Sequence, residues 1–321
     1  MPPSTQESLF EDRPPARPIR LGRAEVYVGT CSWADPHFVR EGDFYPRRVR
    51  AKPDLRLRYY ASVFPTVELD ATHYALLPPD LARRYAQWTP EGFLLHVKAF
   101  GLLTGHDVDP RRLPPHIRTF LPEEILRKPR VGREEVPEEA QTLCWEAFLE
   151  FLRVLREDGR LGYVLFQFPR WTTFSARALQ ELEHIRAVLP GYRVAVEFRH
   201  RSWLAPQNRE KTLDALRSLD LIYTVPDEPQ LPWTVPPEVA VTSNWSVVRF
   251  HGRNAAAWSR RGATTLEVYD YLYSEEELWP WARKVRSLAR EVDRLFLMFN
   301  NHVRGSSAKN ARMLLGLLQE P

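Results

Sequence analysis

The sequence predicts an α/β fold of the (β/α)8 TIM-like barrel type, irregular between its sixth and seventh strands and with an insertion after the third. Three observations carry this. Eight short apolar runs alternate with amphipathic stretches of helical period. No glycine-rich phosphate loop follows the first run, so the usual sign of a doubly wound dinucleotide fold is missing. The chain has 321 residues, 44% of them hydrophobic, enough to fill one barrel.

Residues 1–24 hold Pro2, Pro3, Pro14, Pro15 and Pro18 among polar groups and read as a flexible N-terminal arm with too little apolar surface to fold alone. A single domain over 25–321 follows. Its predicted strands are "VYVGTCSW" (26–33), "TVELDATHY" (66–74), "FLLHVKAF" (93–100), "YVLFQFP" (163–169), "RVAVEFRH" (193–200), "LIYTVPDE" (221–228), "SVVRFHG" (246–252) and "RLFLMFNN" (294–301). Helices are predicted over 55–63, 79–88, 138–157, 176–188, 210–219, 275–291 and 306–318. The insertion covers about 101–137, and the stretch 229–245 is too rich in proline for a long helix. Both follow strand ends, so a barrel puts them on its carboxyl face, where such folds keep their chemistry.

Composition narrows the partners. Forty-five basic residues against forty-one acidic ones give a net charge of +4, weak support for a nucleic-acid partner. Two cysteines, Cys31 and Cys144, are too few for a disulfide framework and lack the spacing of a structural zinc site. No apolar run has the length of a signal peptide core or a membrane span, which predicts a cytoplasmic location.

The candidate site comes from how the strands end. Residues two apart on a strand share a face, so Glu68 with Asp70, His96 with Lys98, Glu197 with Arg199, and Arg249 with His251 each point as a pair. Gln167, Asp227, Asn300 and Asn301 finish other strands. A buried ion network is the structural alternative for any one pair; seven strands ending this way favour a site. Trp33 and Trp203, just past strand ends, are expected either in the core or as a platform for a sugar or base. Cys31 is expected to pack as a small apolar residue, and His200 and His302 to lie at the rim.

Several of these blocks also resemble a known family. "GTCSW" (29–33), "FYP" (44–46), "YYASVFPTVELDATHY" (59–74), "FLLHVKAF", "YVLFQFP", "AVEFRHRSW" (195–203), "VVRFHGR" (247–253) and "FNNHVRGSSAKNA" (299–311) are similar in order and spacing to the YecE-like proteins, domain of unknown function 72. That family commonly has Asn then Ser or Thr where this chain has Asp70-Ala71, and usually Phe where His73 stands. The resemblance implies a TIM-like barrel with its polar cluster at the carboxyl face. It assigns no reaction; some barrels of similar architecture are metal-dependent endonucleases or sugar isomerases, and nucleic-acid binding has been suggested for the family by analogy.

The residues support a metal-independent acid–base enzyme, a hydrolase or isomerase, acting on a sugar, sugar phosphate or nucleotide-like ligand. Glu68, Glu197, Lys98 and His251 are its expected catalytic groups. Trp33, Asp70, His96, Gln167, Arg199, Trp203, Asp227, Arg249, Asn300 and Asn301 are its expected binding groups. No cofactor is expected. The first alternative is a metal-dependent phosphodiesterase or endonuclease-like hydrolase using Glu68, Asp70, Glu197, Asp227, His96 and His251 around a divalent ion. The second is a non-catalytic protein binding single-stranded nucleic acid through Trp33, Trp203, Trp233 and surface arginines.

Overall fold

Strand alternation builds the molecule from the inside out. In the computed structural model, which describes residues 14–320, the eight predicted strands are β2 (Ala24–Thr30), β3 (Thr66–Leu69), β4 (Leu94–Lys98), β5 (Leu161–Gln167), β6 (Val194–Glu197), β7 (Ile222–Asp227), β8 (Trp245–Phe250) and β9 (Arg294–Phe299). They pair in sequence order, all parallel, and β2 pairs with β9 from Glu25↔Arg294 to Thr30↔Phe299, which closes the barrel. One residue in two points inward: Tyr27, Leu94, Tyr163, Leu165, Ala195, Ile222, Val247, Phe296 and Met298 fill the lower interior as one cluster. The alternate residues, such as Val28, Val67, Leu95, Val164, Val196, Val225, Val248 and Leu297, face the helices and join the outer core.

The helices follow the predicted stripes. Helices over 79–88, 138–157 and 176–188 have the predicted bounds, and 138–157 buries Ala140, Cys144, Phe148, Phe151, Leu152 and Leu155 on one face. The predicted helix over 275–291 stops at Leu288. The carbonyl of Ala289 is captured by the N–H groups of Arg23 and Ala24 instead of continuing the helix. Residues 229–244 form no helix, and the 101–137 insertion holds turns, one-turn helices and an antiparallel bridge between Val108 and Val131.

Two irregularities shape the sheet. A short strand β1 (Ile19–Leu21) turns at Gly22 (φ +57°) and pairs antiparallel with Ala24–Val26. It falls inside the stretch expected as an arm, and it pairs because the lower half of β2 meets β3 only at Thr30↔Val67 and leaves its edge open. The expectation for residues 1–13 lies outside the described residues. Higher up, the hydroxyl of Tyr60 bridges the same gap, accepting from the Thr30 N–H at 2.9 Å and donating to the Thr66 carbonyl at 3.2 Å. Gly29 is required there, since a Cβ would lie 2.3 Å from that carbonyl oxygen.

Candidate functional site

Above the apolar interior the inward residues turn polar, and they form two tiers. The lower tier is a chain of charges. Arg249 Nη2 donates to Glu68 Oε1 at 2.6 Å and Arg249 Nη1 to Glu197 Oε2 at 2.5 Å. Arg199 Nη1 donates to Glu197 Oε1 at 2.7 Å, and Arg199 Nη2 lies 3.2 Å from Glu228 Oε2. Glu68, Glu197 and Arg249 are fully buried. His251 Nε2 is 3.0 Å from Glu197 Oε1, and the Asn300 amide is 3.1 Å from His251 Nδ1. With Asn300 donating to Nδ1, the proton of neutral His251 sits on Nε2 and is given to Glu197.

Environment pushes the two expected catalytic glutamates apart. Burial raises both, but at Glu197 the guanidinium of Arg249, then His251 and Arg199, overcome it and hold the carboxyl well below the usual range. At Glu68 burial wins over Arg249 and Lys98, and the carboxyl is raised. Burial lowers His251 to about 3, with Glu197 opposing. Glu68 and Glu197, expected as catalytic groups, both grip Arg249, and neither lines the open space above.

That space is the upper tier, a cleft of about 640 Å³. Lys98, Gln167 and Arg199, from the ends of β4, β5 and β6, form its floor. His73 and Tyr74 follow β3, Trp171 follows β5, and Trp258, Arg260, Arg261 and Tyr269 descend from the segment after β8. The two long connections singled out in the sequence each contribute, with His106 from the insertion and Trp233 from the proline-rich stretch. Lys98 Nζ is 2.9 Å from Asp70 Oδ1. Burial would lower the Lys98 ammonium, but Asp70 reverses that and leaves it raised. The Arg199 guanidinium lies over the Trp258 ring, 5.1 Å from its centre. Among the described residues, Lys98, Arg170, Arg199, Arg260 and Arg261 line the cleft and no carboxylate does.

Several expected residues stand elsewhere. His96 lies in the barrel interior: Tyr163 N–H donates to its Nδ1 at 3.0 Å, its Nε2 is 2.7 Å from Thr66 Oγ1, and its ring stacks on Tyr163. It repairs the β4–β5 pairing where the register shifts between Leu95 and Val97. Asp227 points outward to Arg253, Tyr273 and the Trp281 indole, because inward positions on β7 are Ile222, Thr224 and then Glu228. Asn301 ties the chain to Tyr271 O and Asn310. Trp33 and Trp203 are core residues, Trp203 stacking 3.9 Å from Phe198 and donating to Thr172 O. Cys31 packs inside, its Sγ 3.5 Å from Arg249 Nη2, and burial pushes its thiol up.

The six residues considered as metal ligands are therefore scattered. Arg249 occupies the space between Glu68 and Glu197, His96 and Asp227 are spent on structure, and no group of three or more acidic, histidine or cysteine side chains suited to a metal occurs among the described residues. Glu228, Tyr74, Trp258 and Tyr269 were not anticipated. Counting by twos from Thr224 would have found Glu228; the segment carrying Trp258 and Tyr269 has no periodicity to read.

No helix among the described residues is long and apolar enough to cross a membrane. Residues 27–321 match the model of a family described as protein of unknown function DUF72. The UPF0759 protein YunF of Bacillus subtilis is 31% identical over 298 residues, which is 91% of this chain and 94% of YunF. The UPF0759 protein YecE of Escherichia coli K12 is 26% identical over 190 residues, 59% of this chain and 54% of YecE. Among solved structures, a DUF72 family protein of Thermotoga maritima is similar with a TM-score of 0.72 and 33% identity, over 92% of this chain and 99% of that one. One from Enterococcus faecalis has a TM-score of 0.74 at 24% identity, over 92% and 96%, and shares the fold. The closed parallel barrel, its polar carboxyl end and these matches agree: this chain belongs to the DUF72 family.

Proposed function

We propose that the cleft binds a small anionic ligand carrying a ring, a phosphorylated sugar or a nucleotide. One observation carries this reading: among the described residues the cleft is lined by five lysine and arginine side chains and no carboxylate, beside the aromatic side chains of Trp233, Trp258 and Tyr269. Lys98, Arg199 and Arg260 are paired with Asp70, Glu197 and Glu267, while Arg170 and Arg261 have no ion-pair partner among the described residues, so their charge is available to a phosphate. Aromatic faces beside guanidinium groups suit a sugar or base ring attached to that phosphate.

The acid–base reaction expected from the sequence has its best-placed proton donor in Lys98, whose ammonium borders the cleft and is held by Asp70. Glu68 and Glu197 act beneath the ligand, by fixing Arg249 and Arg199 in place. Calorimetric titration with glucose 6-phosphate, adenosine monophosphate and their unphosphorylated counterparts tests the reading. Phosphorylated ligands should bind and the neutral ones should not, and the Arg170→Ala, Arg261→Ala double variant should lose about tenfold in affinity. Equal binding of charged and neutral ligands overturns it. Binding of an oligodeoxythymidine alone, falling steeply with salt, would favour the nucleic-acid reading instead.

A further inference from the structure

Arg199 stands between two carboxyl groups that hold it unequally. Its Nη1 makes a hydrogen bond to Glu197 Oε1 at 2.7 Å. On the other side, Nη2 is 3.2 Å from Glu228 Oε2, yet that buried oxygen accepts no well-formed hydrogen bond. Glu228 Oε1 accepts from the Val235 N–H at 3.0 Å, anchoring the proline-rich stretch that brings Trp233 into the cleft. One buried carboxyl thus touches both a guanidinium of the cleft floor and the root of a cleft wall.

Among the described residues, the titratable groups around this carboxyl include the buried hydroxyl of Tyr223 on β7, which burial and the nearby carboxylates keep protonated. Glu197 and Arg199 face it from β6. Asp227 precedes it on β7 but is bound to Arg253 on the outer side of the sheet. His251 on β8 is engaged by Glu197. From the segment after β8, Trp258 covers Arg199, and Tyr269 lines the same cleft. Glu68 and Glu197 already balance Arg249 and Arg199 in charge, so an ionised Glu228 is a surplus negative charge beside the cleft, and a protonated one is not.

We propose that Glu228 is a proton-linked gate on the anion site of the cleft: ionised, its surplus charge neutralises Arg199 and opposes an anion there; protonated, it leaves Arg199, still positioned by Glu197, to attract a bound anion, so that binding takes up a proton from solvent. The proposal rests on the cleft being an anion site, and it adds how that site is regulated. Burial pushes the Glu228 carboxyl up to about 7, with Arg199 opposing and Glu197 reinforcing. His73, His106 and His251 do not compete as switches near neutrality, because burial lowers them to about 4, 3 and 3.

The test needs a ligand that does not itself titrate, so glucose 6-sulfate is the probe, measured by calorimetry between roughly pH 6 and pH 8.5. The wild-type protein should bind it about tenfold more tightly at the acid end. At a pH slightly above 7, titrations in buffers of different ionisation heat should reveal fractional proton uptake per anion bound. Glu228→Gln, whose amide oxygen still accepts from Val235, should bind tightly across the whole range with no uptake. An unchanged pH slope in that variant overturns the proposal while leaving the anion site intact. Absence of proton uptake in the wild type overturns it without any variant. No binding by either protein at any pH, with the phosphorylated ligands also failing, removes the anion site and the gate together.

Discussion

Asp227 and Glu228 are neighbours at the end of one strand, both buried, and they live in opposite electrostatic worlds. Asp227 faces outward, where Arg253 grips both its oxygens at 2.8 and 2.6 Å, the Tyr273 hydroxyl donates at 3.0 Å and the Trp281 indole donates as well. Glu228 faces inward, with one backbone donor and a guanidinium already committed to Glu197. What separates them is donor supply. A buried carboxylate surrounded by donors is a structural fastener; one with too few is poised to take a proton, and this one does so at the edge of a cleft.

The strongest way to break this comparison is to remove the donor at the centre of the inner network. Arg249→Met leaves Glu68 and Glu197 buried without their shared partner, and should cost about 3–5 kcal/mol. Urea unfolding at constant slope would measure it. A loss below about 1 kcal/mol would mean that the two glutamates are not held by Arg249 in solution. Adding Glu68→Gln to that variant should restore part of the loss, because one stranded charge is removed.

The outer fastener is the next test. Asp227→Asn keeps the shape but replaces one acceptor oxygen with an amide donor, so two of the four facing donors lose their acceptor. A loss of about 2–4 kcal/mol is expected. Glucose 6-sulfate binding and its pH slope should move only slightly, since the side chain lies on the far side of the sheet and its charge is the smallest of the influences on Glu228. A large change in slope would join the two carboxyl groups into one coupled system and erase the distinction between them.

Much of the fold was legible because it rests on local pattern. Each of the eight parallel strands was an apolar run with a polar end, and the stripe of the 138–157 helix was continuous enough to set both its ends. β1 was hidden because three residues beside prolines carry no period, and its pairing depends on a gap in β2–β3 contact that only tertiary structure creates. The polar ring was legible as a ring, and Lys98, Gln167 and Arg199 do floor the cleft. Two kinds of information were not in the pattern. Strand phase failed at Asp227 by one residue, which moves a side chain across the sheet. Burial could not be read for His96, Trp33 and Trp203: His96 Nδ1 and the Trp203 indole are satisfied by backbone groups distant in sequence, and the Trp33 carbonyl accepts from the Tyr45 hydroxyl.

The smallest effect is also the one that distinguishes Glu228 from an ordinary buried acid. Its folded carboxyl is raised from 4.5 to about 7, so below 4.5 both folded and unfolded chains are protonated and the residue contributes no pH dependence. Between those values the folded protein keeps a proton that the unfolded chain has released, and stability falls as pH rises, by at most about 3 kcal/mol once the folded group ionises. Glu228→Gln carries no such group. It should match the wild type near pH 4.5, exceed it increasingly up to a little above pH 7 and hold that advantage at higher pH, the opposite of the loss expected for Asp227→Asn. Thermal or urea unfolding across that range checks it. A stability gap that stays flat with pH would mean that Glu228 is ionised in the folded protein throughout, making it a second fastener like Asp227 and leaving Arg199 permanently neutralised.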